Sequence, residues 1–187
     1  MSHDSLWLEA TKETIAGYRR MIDASVAQLT DDQLFARPQQ GINSVATLLR
    51  HLGGNLQSRW TNFLTEDGEK PDRQRELEFA DWEGSRDELI QYFDAGWKQL
   101  EATLDSLTVE QLAQTVAIRG ESHTVPQAIQ RSLTHLAYHA GQILLIARIV
   151  HGDDQSWQWL TIKPGESQRH NESTWGTPAS WGAAGKR

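Results

Sequence analysis

Apolar residues recur at helical spacing over four stretches of the chain. Leu8, Ile15, Tyr18, Ile22 and Leu29 form the first, preceded by Asp4 and Ser5 as N-caps and ending near Thr30. A second follows the cap residue Ser44, carries Val45, Leu48, Leu49, Leu52, Leu56, Trp60, Phe63 and Leu64, and is expected to stop near Asp67-Gly68. Ser85-Arg86-Asp87-Glu88 has the form of a capping box, in which hydroxyl and carboxylate satisfy the free backbone N–H groups of a helix start, and Ile90, Phe93, Trp97, Leu100, Leu104 and Leu107 follow it. Pro126 suits a first helical position, and Ile129, Leu133, Leu136, Ala140, Ile143, Ala147 and Val150 then run to Gly152.

Between these stretches lie shorter signals. Thr30-Asp31-Asp32-Gln33 and Thr108-Val109-Glu110-Gln111 have capped-turn form. Thr115 to Arg119 and His123 to Val125 flank Gly120-Glu121-Ser122, which predicts a small β-hairpin before the fourth helix. Residues 66–84 are charged, interrupted by Gly68, Pro71 and Gly84, and expected to form a solvated crossover long enough to carry the chain back along a bundle. The pattern predicts an all-α protein: a four-helix bundle over residues 1–151, followed by a non-helical, Trp-rich tail over 152–187 that packs partly on the bundle. The last residues, Gly182 to Arg187, are expected to be mobile, having little to bury.

Composition narrows the chemistry. The chain has no cysteine, so a disulfide framework, a thiolate metal site and a protein-borne thiol nucleophile are all excluded, and any thiol chemistry must borrow its sulfur. A net charge of −7 without a Lys/Arg cluster gives no footprint for a nucleic-acid backbone. No apolar run approaches the ~20 residues of a membrane span, and the first residues lack a signal-peptide pattern, so the expected location is the cytoplasm. The expected partner is a small-molecule substrate, not nucleic acid or membrane.

His135 and His139 stand four residues apart on the fourth helix, which places both imidazoles on one face within reach of one ion. Core-type Leu133, Leu136, Ala140 and Ile143 surround them, where unpaired imidazoles are costly. His51, in Leu48-Leu49-Arg50-His51-Leu52, is the best third ligand. Gly53 and Gly54 follow it directly; two helical glycines cost on the order of 1 kcal/mol each relative to alanine, so they need a reason, such as close approach of another backbone or room for a ligand. Asn55 and Gln142 share the histidine faces and are candidates to orient a ligand. Arg59, one turn beyond Asn55, is a candidate to bind an anionic group, and His123 a candidate to line a pocket mouth. His3, His151 and His170 are expected to be solvated.

Three neutral imidazoles leave Zn²⁺ or Ni²⁺ with open positions, and the ion acidifies whatever oxygen or sulfur binds there. Two chemistries branch from this: activated water giving hydrolysis, or a small-molecule thiol attacking as thiolate and giving transfer or isomerisation. His135-Leu136-Ala137-Tyr138-His139 lacks the glutamate that follows the first histidine in metalloproteases, which disfavours peptide hydrolysis of that type. A non-catalytic metal- or ligand-binding bundle is the remaining alternative. Proton competition for neutral imidazoles is expected as pH falls through ~6.5.

The strings His51-Leu52-Gly53-Gly54-Asn55-Leu56, Phe63 to Pro71, and His135-Leu136-Ala137-Tyr138-His139-Ala140-Gly141-Gln142-Ile143 resemble a subfamily of the DinB-like superfamily of metal-binding four-helix bundles, over about residues 5 to 171. The resemblance implies a metal triad of His51, His135 and His139 and an up-down-down-up helix order. It also implies, as relatives' chemistry, thiol-dependent transferases and isomerases using mycothiol or bacillithiol, and a homodimer formed through helix faces.

Overall fold

The computed structural model describes residues 3–153 and 156–176. The chain divides into two units, Met1–Asp154 and Gln155–Arg187.

In the first unit, side-chain caps set where most helices begin. Helix α1 spans His3–Val26, so Asp4 and Ser5 lie in its first turn and not before it. The Thr30 capping box opens the short α2, Asp31–Phe35. Ser44 accepts a hydrogen bond from the Thr47 N–H and opens α3, Val45–Trp60. Ser85 and Glu88 close a reciprocal box at the start of α4, Arg86–Ser106, and Thr124 with Gln127 do the same for α5, Val125–His151. At the far end of α5, Gly152 takes a left-handed conformation (φ 73°) and stops the helix.

Helix α3 ends earlier than its apolar pattern predicts. Thr61 is extended and Asn62 adopts φ 50°, so Phe63 and Leu64 sit in a turn and not in a continued helix. The crossover to α4 contains a 3-10 turn, Arg75–Phe79. After a second 3-10 turn, Glu110–Ala113, strands β1 (Thr115–Ile118) and β2 (Glu121–Thr124) form the expected hairpin. Its turn is Arg119-Gly120, not the Gly120-Glu121-Ser122 of the sequence reading: both residues have positive φ (57° and 75°), as a two-residue turn matched to strand twist requires.

Contacts between helices give their directions. Lys12 pairs with Asp105 at 3.1 Å, Arg19 with Asp94, and Arg86 donates to the carbonyls of Val26 and Leu29, so α1 and α4 run antiparallel. The Trp60 carbonyl at the end of α3 accepts from Gln99 and Thr103 late in α4, and the Arg50 guanidinium near the start of α3 lies over Trp82, just before α4. These two helices therefore run in the same direction. The Trp60 indole donates to Ser132, and His51 meets His135, which makes α3 and α5 antiparallel. Leu8, Ile15, Ile22, Leu52, Leu56, Trp60, Phe93, Trp97, Leu100, Leu136 and Ile143 are buried in the core. Each such side chain contributes ~1.5–3 kcal/mol on full burial.

Glycines set the spacing of α3 and α4. A Cβ on Gly96 would strike the backbone carbonyl of Gly53, and one on Gly53 would lie 2.8 Å from the Tyr92 ring and 3.2 Å from the Phe93 Cα. Helix α3 passes unbroken through Gly53-Gly54, so the glycine pair marks close approach of a neighbouring helix.

The second unit corrects the expectation of a non-helical tail. It contains α6, Ser167–Trp175, in which no residue is buried; with no apolar stripe to bury, the helix leaves no periodic signal. The stretch Gly182 to Arg187, expected to be mobile, lies outside the described residues, as does Trp181. Among the described residues no helix is long and apolar enough to cross a membrane.

If the Gly53–Gly96 contact fixes the α3–α4 distance, Gly96→Ala lowers stability by about 1–3 kcal/mol through overpacking against backbone that cannot yield. Urea denaturation measures this, and an unchanged midpoint would show that the helices separate freely.

Candidate metal centre

His51 projects from the middle of α3, and His135 and His139 from adjacent turns of α5. One ring nitrogen from each lies within 4.8 Å of the others, so the three could hold a metal ion. His51 and His139 are buried and His135 is half-buried. The Nε2 atoms of His51 and His135 are 3.2 Å apart.

Each buried ring needs something to hold its tautomer. His51 Nδ1 lies 2.8 Å from Glu78 Oε2, so its proton sits on Nδ1 and the Nε2 lone pair is left to accept, at 3.2 Å from His135 Nε2. His139 Nδ1 lies 2.8 Å from Gln142 Oε1, which by the same logic frees His139 Nε2. That Nε2 is buried without a hydrogen-bond partner among the described residues. A lone pair buried and unpaired costs free energy, and a cation is the partner this geometry admits. The donor set of three imidazoles, with a carboxylate behind one and an amide behind another, matches how metal-ligating histidines are oriented in general. The residues fit a metal ion.

Glu78 is the residue that sequence reasoning missed. It arrives on the 3-10 turn of the crossover, and Phe79 beside it stacks on the His51 ring at 4.6 Å. Burial would raise its carboxyl pKa, but hydrogen bonds from His51 and Arg73 and the charge of Arg73 hold it below the ordinary carboxylate range. Arg73 grips both oxygens, Nε to Oε1 at 2.7 Å and Nη2 to Oε2 at 2.8 Å. Gly54 makes the approach possible, because a Cβ there would stand 2.5 Å from Glu78 Oε1 and 2.8 Å from the Tyr92 hydroxyl.

The crossover expected to be a solvated loop is thus tied down along its length. Asp67 accepts hydrogen bonds from the backbone N–H groups of Glu69, Arg119 and Gly120, pinning the loop to the hairpin turn. Glu69 takes ion pairs from Arg59, Arg73 and Arg119 at 2.8, 3.2 and 3.1 Å. Arg59, the candidate for anion binding, is accordingly half-buried, paired with Glu69 and donating to the Gly68 carbonyl.

A cavity of about 530 Å³ opens beside the histidines. His51, His135, Asn55 and Arg59 line it, together with Trp60, Phe63, Phe79 and Tyr138. Asn55 is buried at 8% exposure and faces this space. Gln142 supports His139 from behind and does not line the cavity. His123 sits on β2 opposite Val116, 3.9 Å from Glu121, and is not brought to the site.

A family profile described as a protein of unknown function, DUF1572, matches residues 2–166. The chain belongs to this family. The match spans the bundle and every residue of the site. No curated protein matches the DUF1572 chain in a sequence comparison.

Burial, then repulsion from His139 and His51, pushes the His135 imidazole down to about 3; burial and His51 push His139 down to about 4, with Gln142 opposing. Proton competition at these two ligands therefore sets in well below the ~6.5 of a free imidazole. In the unfolded chain the same rings bind protons from ~6.5 downward, so the unfolded state gains protons first and stability falls as pH drops through that window. Metal-free protein is expected to lose on the order of 2–3 kcal/mol between pH 8 and pH 5.5. Chemical denaturation at the two pH values checks this, and a His135→Gln, His139→Gln variant should lose much less. Separately, Glu78→Gln and Gly54→Ala are each expected to weaken zinc binding by about 10- to 100-fold, read by competition with a chromogenic chelator. Unchanged affinity in both would remove Glu78 from the centre.

Proposed function

We propose that this DUF1572 chain is a divalent-metal-dependent enzyme of the DinB-like kind, in which His51, His135 and His139 hold Zn²⁺ or Ni²⁺ and the open side of the ion faces a small-molecule thiol or water. The observation that carries the reading is the unpartnered, buried His139 Nε2 converging with the imidazoles of His51 and His135, which line a cavity. A purely structural ion has no use for such a cavity, whereas a catalytic one needs an approach for its substrate. The helix directions support the up-down-down-up order of the DinB-like fold, and exposed Leu145 and Ile149 on α5 support the homodimer that the resemblance implies.

When bound, a divalent ion supplies Lewis acidity that lowers the pKa of a coordinating thiol or water. The protein's own groups do the rest. Glu78, held ionised by Arg73, keeps the proton on His51 Nδ1, and Gln142 keeps one on His139 Nδ1, so both rings present lone pairs without rearranging. The Asn55 amide, one turn from His51, orients the incoming molecule from the cavity wall. Phe79 against His51, and the Trp60–Phe63 stack, make that side of the site apolar. Lacking cysteine, the chain leaves the nucleophilic sulfur to a thiol of the mycothiol or bacillithiol type; a hydrolase using water is the second outcome of the same geometry.

Cobalt-substituted, untagged protein tests this. Adding a small thiol is expected to produce a thiolate charge-transfer absorption and a lowered thiol pKa, both absent from the His51→Ala, His135→Ala, His139→Ala variant. A spectral response to azide but not to thiols would select the hydrolase form. Cobalt that stabilises the fold yet responds to neither would replace the reading by a non-catalytic binder.

A further inference from the structure

The cavity departs in charge from the rest of the molecule. The chain carries −7, yet the residues lining this space include five arginines and no carboxylate: Arg59, Arg73, Arg75, Arg119 and Arg131. They come from α3, the crossover, the hairpin turn and α5, so no single stretch of sequence displays the cluster.

Their charges are not fully matched by the protein. Glu69 is shared by Arg59, Arg73 and Arg119; Glu78 answers Arg73; Glu76 answers Arg75 at 3.1 Å. Five guanidiniums thus meet three carboxylates, and Arg131 has neither an ion pair nor a hydrogen bond among the described residues. Arg59 and Arg73 are half-buried and Arg75, Arg119 and Arg131 exposed; five like charges around one cavity repel one another, and an anion entering it relieves that repulsion. A second, uncharged observation points the same way: Asn55, more than nine-tenths buried and lining the cavity, has a side-chain amide without a hydrogen-bond partner among the described residues. Trp60, Phe63 and Phe79 add apolar surface to the same lining, and the volume of about 530 Å³ is that of a small-molecule site.

We propose that this cavity binds an amphipathic organic anion, its carboxylate or phosphate held by Arg131, Arg75 and the Asn55 amide and its apolar body laid against Trp60, Phe63 and Phe79. The proposal deepens the functional reading above by naming the class of molecule that enters the site, and rests on that reading only for the anion's being a substrate. Binding itself needs no metal. Guanidiniums suit planar, two-oxygen acceptors, so carboxylate and phosphate esters share the chemistry and are separated by experiment.

The test is calorimetric titration of metal-free and zinc-loaded full-length protein with phenyl phosphate, phenylacetate and the neutral phenylacetamide. Both forms are expected to prefer an anion to the amide by about tenfold or more, with the preference shrinking as salt rises. The stronger of the two anions identifies the headgroup. Arg131→Gln, which removes no hydrogen bond or ion pair among the described residues, should weaken anion binding by about three- to tenfold and leave melting temperature and amide binding unchanged. Equal binding of amide and anions, undetectable binding of both anions at millimolar concentration, or anion affinity indifferent to Arg131→Gln would overturn the proposal. Anion preference in a protein that takes up no zinc would keep it and remove the metal reading; zinc uptake with no anion preference would do the reverse.

Discussion

Three imidazoles converging on one small space, two of them buried and the third half-buried, is the constraint from which the rest of the bundle's interior follows. Without a shared cation the arrangement is costly, since His139 Nε2 is left with a buried lone pair and no hydrogen-bond partner among the described residues. The fold meets this with directed support. Glu78 fixes His51, Gln142 fixes His139, and Arg73 holds Glu78 in its ionised form. A buried chain of this kind is a poor source of stability, because desolvating Arg73 and Glu78 offsets most of their attraction. Its value lies in orientation.

Backbone packing and site chemistry are joined at the glycines of α3. Gly53 lets α4 approach, Gly54 admits the Glu78 carboxylate, and His51 precedes them on the same helix. Asp67 fastens the far end of the crossover to the hairpin turn, so the loop carrying Arg73 and Glu78 is positioned from both sides. The same anchoring brings the Arg119 side of the hairpin to the cavity rim. One loop therefore serves the ligands from behind and the cavity from in front.

What could be read from sequence was what obeys a period. Apolar spacing and the caps at Ser44 and Ser85 located the helices, and the four-residue spacing of His135 and His139 within an apolar stripe pointed to the cluster of imidazoles. Glu78 was invisible because it comes from an aperiodic, charged segment 27 residues from His51, where nothing distinguishes it from its solvated neighbours. Gly53-Gly54 held the only trace of it, as helical glycines in need of a reason. Phe63 and Leu64 extended the apolar pattern past the true end of α3, which Asn62 terminates through its backbone conformation. Helix α6 buries nothing and so wrote no stripe. The arginine cluster is a product of tertiary structure, assembled from four separate segments.

The central claim is that one cation is shared by these three rings. X-ray absorption spectroscopy of untagged protein reconstituted with one equivalent of zinc counts the imidazole scatterers directly. The account predicts a single tightly held ion with three imidazole nitrogens, falling to two in His51→Ala, and at least one further position filled by an exchangeable light-atom ligand. An ion that is lost on gel filtration, or an imidazole count unaffected by His51→Ala, would contradict it.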